Sequence, residues 1–301
     1  MSNSTHVNDS FFVMTPRKTI DEAHDLLQKM YPNFPINELH MVENDVINLF
    51  SGRYPGYRKS TTHYHDLPHT MSVYLAVIRL LHGAFCAREP VSQSTAWNGL
   101  MGALFHDVGL IQTADDTIGT GAKYTSGHEK RSMEFVQQYF SRHDRHLPLT
   151  DVKVINKTIV CTILSIDPST IRFPNQEIRT IGFAVGASDL YAQMADRAYL
   201  EKLLLLYDEF VEAHIPGYKS PLDLLRGTQN FWDFVVSSRI QEKMNNIGDY
   251  FKYHFSTVGQ GHENLYLVSI KKNLAYLQQV LNDHEASYHE MLRRTGELID
   301  D

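Results

Sequence analysis

The chain has 301 residues, of which 43% are hydrophobic and 21% charged, a globular composition that excludes disordered, collagen-like and low-complexity chains. Its net charge of −7 argues against nucleic-acid duplexes and membrane surfaces as partners. Residues 1–13 lack the pattern of a secretory signal, no apolar run is long enough to span a membrane, and two cysteines cannot build a disulfide framework. We therefore expect a cytoplasmic protein. Its unusual feature is sixteen histidines, because histidine is the commonest metal ligand.

Apolar periodicity and capping residues predict an all-α, multi-helix fold without strands. The predicted helices cover residues 19–30 (opened by a capping-box pattern from Thr19 to Glu22), 36–50, 66–85, 94–107, 126–140, 150–165, 177–213 and 221–255, the last with interruptions. We expect an N-terminal helical extension at 1–56, a core at 57–215, and C-terminal helices packed on that core at 216–301.

The final segment carries an apolar seam typical of a long helix. Its residues recur every three or four positions: Leu267, Ile270, Leu274, Leu277 and Leu281, continued less regularly by Tyr288 and Met291. One interpretation is a helix that lies against the body of the protein. The other is a homodimer formed through residues 265–292.

Four short motifs combine histidines with carboxylates. They are Tyr64-His-Asp-Leu-Pro-His69, Phe105-His-Asp-Val-Gly109, Gly127-His-Glu129 and Ala187-Ser-Asp-Leu190. Each alone is as typical of a surface pair or a packed histidine as of a site. Their order and apolar surroundings favour a common role.

His106, Asp107 and Asp189 are ionisable residues delivered by apolar segments. An unpaired buried carboxylate is costly, and coordination to a cation removes that cost. An ion pair with a distant arginine is the ordinary alternative for Asp189. With His69 in the first turn of another apolar helix, the pattern predicts a mixed nitrogen and oxygen site. Such a site suits zinc, manganese, iron or cobalt better than calcium. His65 precedes the helix start, where it could protonate a leaving oxygen.

The order of these motifs resembles the HD superfamily of metal-dependent phosphohydrolases, over roughly residues 57–215. Tyr64-His65 with His69, and Ser188-Asp189-Leu190, are similar to its cyclic-nucleotide phosphodiesterase branch. The resemblance implies an HD-domain fold in which His69, His106, Asp107 and Asp189 bind one divalent metal, magnesium included. It also implies that His65 is the proton donor and that Asp107 bridges to a second ion where one exists.

The sequence departs from that branch at the second ion. Leu110 stands where the branch repeats a histidine, and His128 is similar to a histidine that other HD proteins place on the next helix. We expect one tightly held ion, with His128 a candidate ligand of a second ion or of substrate phosphate. A surface histidine is its ordinary alternative.

Substrate-binding residues are harder to place. Lys123 and Arg131, near a polar, glycine-rich loop at 113–125, are candidates for binding phosphate, although solvated charges are the ordinary alternative. Gln229 and Phe231 stand after the last ligand, where the branch has base-clamping residues, but an exposed glutamine beside a core phenylalanine has the same pattern.

We expect a phosphohydrolase or phosphodiesterase that acts on a small phosphoester, most specifically a nucleotide or cyclic nucleotide, with a metal-activated hydroxide as the nucleophile. Two alternatives stay open. A diiron oxygenase of the same fold needs six ligands, including two more histidines. A catalytically silent helical sensor has no need of the proton donor His65.

Overall fold

The computed structural model describes residues 14–142 and 147–292, and this part of the chain is all-α, with twelve α-helices and no strand or sheet. The predicted fold class is confirmed. The helices are α1 (Pro16–Met30), α2 (Ile36–Phe50), α3 (Leu67–Cys86), α4 (Gln93–Phe105), α5 (His128–Ser141), α6 (Val152–Val160), α7 (Gln176–Ala195), α8 (Tyr199–Glu212), α9 (Pro221–Asn230), α10 (Tyr250–Thr257), α11 (Leu265–Asp283) and α12 (Tyr288–Met291). None of them is both long enough and apolar enough to cross a bilayer.

Helix α3 lies at the centre of the fold. It packs against α1, α4, α7 and α10, and all but one of its residues from His69 to Ala84 are buried. Asp66 caps its start, because the Asp66 side chain accepts a hydrogen bond of 2.7 Å from the backbone N–H of His69. Pro68 in the first turn costs nothing, since that turn has no intrahelical N–H bond to lose. The polar start of α3 therefore enters an apolar core at a fixed position.

Three predicted helix boundaries are wrong. Helix α1 begins at Pro16 with Thr15 as its cap, whereas Thr19 is buried inside the helix. The segment predicted as one helix over 177–213 is divided between α7 and α8, because the Asp196 backbone is extended and its side chain accepts from the N–H of Ala198. The helix predicted over 150–165 ends at Val160.

The predicted interruptions at 221–255 are present. Two π-helical segments, Phe231–Val236 and Arg239–Lys243, follow α9, and a 3₁₀ turn at Ile247–Asp249 precedes α10. Further 3₁₀ turns lie at Val108–Leu110, Gly121–Tyr124, Pro168–Thr170 and Glu285–Ser287.

The C-terminal apolar seam lies against the body of the protein. Ile270, Leu274 and Leu277 are buried within the chain, and α11 packs on α7. Leu267 and Leu281 are partly buried and pack on the same core, so α11 lies on its own chain, and the homodimer stays a prediction. Buried residues of the segments predicted as extension, core and C-terminal helices share one hydrophobic core.

Candidate metal centre and its cavity

Three helices bring the four predicted ligands to one place. His69 lies in the first turn of α3, His106 follows the end of α4, and Asp189 lies within α7. Asp107 comes next after His106 and precedes a 3₁₀ turn. Because α3 packs on both α4 and α7, these side chains meet inside the core.

Both histidines lie close to both carboxylates, and the ligand atoms of His69, His106 and Asp189 all lie within 4.8 Å of one another. His69 Nε2 lies 3.2 Å from Asp189 Oδ1 and 3.4 Å from Asp107 Oδ2. His106 Nε2 lies 3.2 Å from Asp107 Oδ2 and 3.8 Å from Asp189 Oδ1. Such separations suit donor atoms that each lie about 2 Å from one ion.

Two buried polar atoms of this cluster lack a hydrogen-bond partner, which tests whether a cation fits. They are His106 Nε2 and Asp107 Oδ2. His106 Nδ1 lies 2.8 Å from the carbonyl oxygen of Ala103, which only accepts, so Nδ1 carries a proton and Nε2 is the nitrogen that faces the carboxylates. Atoms of this kind are ready to coordinate a divalent cation, and the cluster therefore fits one.

The charge of the cluster also favours a cation. Among the described residues, no lysine or arginine lies within ion-pair distance of Asp107 or Asp189, so the arginine pairing considered for Asp189 is not seen. Burial disfavours a charged His106, but Asp107 and Asp189 outweigh it and raise its pKa to about 9. Burial likewise opposes ionisation of Asp107, yet His106 and His128 hold the pKa of this carboxyl well below its usual range.

His128 approaches the same centre from the opposite side of Asp107. Its Nε2 lies 3.2 Å from Asp107 Oδ1, and its Nδ1 lies 2.9 Å from the carbonyl oxygen of Thr125. The His128 side chain is only 12% exposed, so it is not the surface histidine of the alternative interpretation. Asp107 thus presents one oxygen to the four-ligand cluster and the other to His128, the placement expected of a bridging carboxylate.

The position of His128 depends on a close approach between two segments. A Cβ atom at Gly109 would lie 2.0 Å from the backbone oxygen of His128, so a larger residue there cannot keep this contact. Ser132, one turn later on α5, donates to the carbonyl oxygen of His106 and accepts from the N–H of Gly109. These contacts hold the start of α5 against the His106-Asp107 pair.

His65 is held by Glu209, a residue that sequence reasoning missed. His65 Nδ1 lies 2.7 Å from Glu209 Oε2, while Glu209 Oε1 accepts from the backbone N–H groups of His63 and Tyr64. Glu209 is buried on α8, three residues after Leu206 and six after Leu203. A carboxylate at an apolar position of a helix was the signal that could have identified it.

The environment of His65 favours its protonated form. Burial alone would lower its pKa, but the Glu209 hydrogen bond and the charges of Asp107 and Asp189 raise it to about 9. Because Nδ1 donates to Glu209, Nε2 is the ring atom that can exchange a proton with a bound ligand. The His65 ring centroid lies 6.0 Å from that of His69 and 5.9 Å from that of His128.

A cavity of about 620 Å³ opens over this cluster. His65, Asp107, His128, Glu129 and Asp189 lie in its polar part, which we call the floor. The remainder, which we call the wall, is formed mainly by side chains from α8, α9 and the segments beside them, with further residues from α7, from 162–165 after α6 and from the start of α5. The volume is in the range of pockets that bury small organic ligands.

The candidate phosphate-binding residues do not line this cavity. Lys123 Nζ is paired with Asp116 and also donates to the carbonyl oxygen of Ile118. The Arg131 guanidinium lies 3.5 Å from the centroid of the Tyr124 ring and donates to the carbonyl oxygen of Gly109. Both charged side chains contact the loop and its junction with α5, so the structure does not place them at the floor of the cavity.

The two candidates for clamping a base are separated. Phe231 lines the cavity, but Gln229 does not, and its amide donates to Asp233 at the protein surface. The structure therefore does not bring this glutamine and phenylalanine together around one ligand.

The chain matches one protein-family model over part of its length. A family model described as Npun_R2479-like matches residues 113–252, just under half of the chain. The matched span includes Asp189 and Glu209 and begins after the His106-Asp107 pair. No curated protein matches the chain. The chain is thus similar to this family over the part that supplies α5 to α9 and most of the cavity wall.

Proposed function

We propose that this protein is a metal-dependent hydrolase of phosphoesters. The observation that carries the proposal is a cluster of His69, His106 and Asp189, with Asp107 in contact with both histidines, that fits a divalent cation. Its two carboxylates line the same cavity as His65, which is paired with Glu209. A cation centre and an adjacent proton donor are the two parts that hydrolysis of a phosphoester needs.

The four-ligand cluster would hold the cation, and Asp107 would reach a second cation beside His128. A bound divalent cation lowers the pKa of coordinated water and offsets negative charge on a phosphoryl group. The protein supplies rigidity: Asp66 fixes the backbone at His69, and the Ala103 carbonyl fixes the ring of His106. Two histidines and two aspartates suit zinc, manganese, iron or cobalt, with magnesium a further candidate.

His65 would act as the general acid. Its Nδ1–H is fixed by Glu209, so its Nε2 proton can pass to the leaving oxygen of a phosphoester bound on the floor. Glu209 is a positioning residue, because it holds the imidazole tautomer and orientation without facing the ligand itself. The hydrogen bonds that Glu209 accepts from two backbone N–H groups keep its side chain in place.

A diiron oxygenase is the second candidate function, favoured by the contact of His128 with Asp107 Oδ1. That chemistry needs two histidines beyond the four-ligand cluster. Apart from the paired His65, the described residues of the floor supply only one, His128. The hydrolase accounts for the paired His65, which an oxygenase or a silent sensor does not require.

The test combines metal analysis with turnover. Protein loaded in turn with each of the named metals should hydrolyse bis(p-nitrophenyl) phosphate or a cyclic mononucleotide, with no oxygen consumption. Turnover that requires oxygen, with two irons per chain, would contradict the proposal in favour of the oxygenase. Retention of metal without turnover of any phosphomonoester or phosphodiester would favour the sensor.

A further inference from the structure

The cavity wall differs in chemistry from its floor. The wall is built mainly from apolar side chains of α8, α9 and their flanking segments: Leu203, Leu206, Phe210, Ile215, Leu224 and Phe231. The floor carries the histidines and carboxylates described above. A ligand that fills both parts therefore needs a polar head and an apolar body.

Several polar side chains that line the cavity are already hydrogen-bonded within the protein. The hydroxyl groups of Thr162 and Thr228 donate to the carbonyl oxygens of Ile159 and Leu224. Gln193, the one side-chain amide that lines the cavity in the described part of the chain, accepts from the Tyr64 hydroxyl and donates to the Asp189 carbonyl. The one side-chain amide that a heterocyclic base would meet is thus already hydrogen-bonded through both its oxygen and its nitrogen.

The cavity also lacks a cluster of cationic side chains. Within the described residues, Lys130 is the one lysine or arginine that lines it, and this side chain is 81% exposed, with its Nζ 4.0 Å from Glu134. Three carboxylates line the floor: Asp107, Glu129 and Asp189. A polyphosphate would need several positive charges, whereas a single phosphoryl group needs only the cation centre.

We propose that the substrate is a phosphate ester of an apolar alcohol, with its phosphoryl group on the floor and its alkyl or aryl body against the α8–α9 wall. The identity of the head group rests on the proposed function, while the identity of the body rests on the wall alone. Burial of the body against the wall supplies most of the affinity, because each buried methylene strengthens binding about fourfold.

Binding of non-hydrolysable phosphonates tests this inference without turnover. Methyl-, butyl- and octylphosphonate are titrated calorimetrically into the manganese-loaded protein, with adenosine monophosphate as the nucleotide probe. We expect octylphosphonate to bind at least about a hundredfold more tightly than methylphosphonate, and more tightly than the nucleotide. Equal affinity for the three phosphonates, no binding of any of them, or tighter binding of the nucleotide would overturn the inference.

A matched pair of variants locates the body of the ligand. Leu206 lines the cavity and its neighbour Leu205 does not, although both are half-buried on α8. Leu206→Asn should reduce the ratio of octylphosphonate to methylphosphonate affinity about tenfold, because it places an amide against the alkyl chain. Leu205→Asn should leave that ratio unchanged. An equal fall of the ratio in both variants would contradict the assignment of the wall.

Separate turnover assays keep this inference distinct from the proposed function. The manganese-loaded protein is offered methyl, butyl and octyl p-nitrophenyl phosphate. Tighter binding of longer phosphonates without hydrolysis of any ester supports the apolar wall and contradicts the hydrolase. Hydrolysis of all three esters at one kcat/KM, with phosphonate affinity independent of chain length, supports the hydrolase and contradicts the apolar body.

Discussion

The two ends of helix α3 carry buried histidines in opposite surroundings. At its start, His69 lies between the carboxylates of Asp107 and Asp189. Near its end, His82 Nδ1 lies 3.2 Å from His254 Nδ1 on α10, and 3.6 Å from the sulfur of Cys86. In the first cluster the carboxylates favour a positively charged imidazole, and the pKa of His106 rises to about 9. Burial, with Arg79 and His82 nearby, lowers the pKa of His254 to about 2.

Burial alone therefore does not make a metal centre out of histidines. Both clusters are enclosed, and both leave an imidazole nitrogen without a hydrogen bond, His106 Nε2 in one and His254 Nε2 in the other. They differ in the two aspartates, which supply negative charge that a cation can neutralise. The His82–His254 pair is a neutral packing contact between α3 and α10.

Removing one carboxylate should abolish metal binding at the start of α3, and this is the largest effect that we expect. Asp189→Asn should weaken retention of the metal at least about a hundredfold, since loss of even an outer hydrogen-bond partner costs about 10- to 100-fold. Turnover should fall with it. Metal content after dialysis is the measurement.

His254→Gln is the matched control, because it changes the other buried cluster. This variant should retain the metal at the wild-type stoichiometry. Loss of metal from His254→Gln, or full retention in Asp189→Asn, would contradict the assignment of the two clusters.

Loss of the proton donor should separate catalysis from metal binding. His65→Ala should keep the metal and lower kcat about a hundredfold, most strongly for esters with poor leaving groups, which depend on protonation. The measurement is kcat across a series of leaving groups. A slope equal to that of the wild type would contradict the role of His65.

The neutral pair at the far end of α3 should make the protein sensitive to acid. The unfolded chain binds a proton to His254 below about pH 6.5, whereas the folded chain resists it down to about pH 2. Stability should therefore fall as the pH drops from 6.5, by about 2 to 3 kcal/mol at pH 4.5, because each pH unit costs about 1.4 kcal/mol. Urea unfolding at pH 6.5 and pH 4.5 measures this loss of stability, and His254→Gln should lose less between the two pH values. An equal loss of stability in the variant and the wild type would show that His254 is not the source of the acid sensitivity.

The positioning role of Glu209 gives the smallest effect. Glu209→Gln keeps the shape of the side chain but removes the charge that raises the pKa of His65. We expect kcat to fall about tenfold and the alkaline limb of its pH profile to move to lower pH, because His65 then loses its proton more easily. A lower kcat with an unmoved profile would indicate a packing role alone.

Local patterns were sufficient for most of the helices and for naming the four residues of the candidate metal cluster. Asp66 and Pro68 predicted the start of α3 because capping depends on neighbours in sequence. His69, His106, Asp107 and Asp189 could be named because apolar helices rarely carry such residues without a partner. The seam of α11 also followed from periodicity, although periodicity could not say which surface covers it.

Contacts between distant residues could not be predicted in this way. Glu209 reaches His65 across 144 positions of the chain. Lys123 and Arg131 appeared suited to phosphate by proximity to a motif, but the folded loop directs them to Asp116 and Tyr124. The apolar wall could not be predicted for the same reason, since its side chains become neighbours only when α8 and α9 pack.

The most direct test of the central claim, that the cluster at the start of α3 is a metal centre, is anomalous diffraction from crystals of the metal-loaded protein. We predict a peak about 2.0 to 2.3 Å from His69 Nε2, His106 Nε2, Asp107 Oδ2 and Asp189 Oδ1. Crystals that show no peak at this cluster, although the protein in solution retains its metal, would contradict the claim.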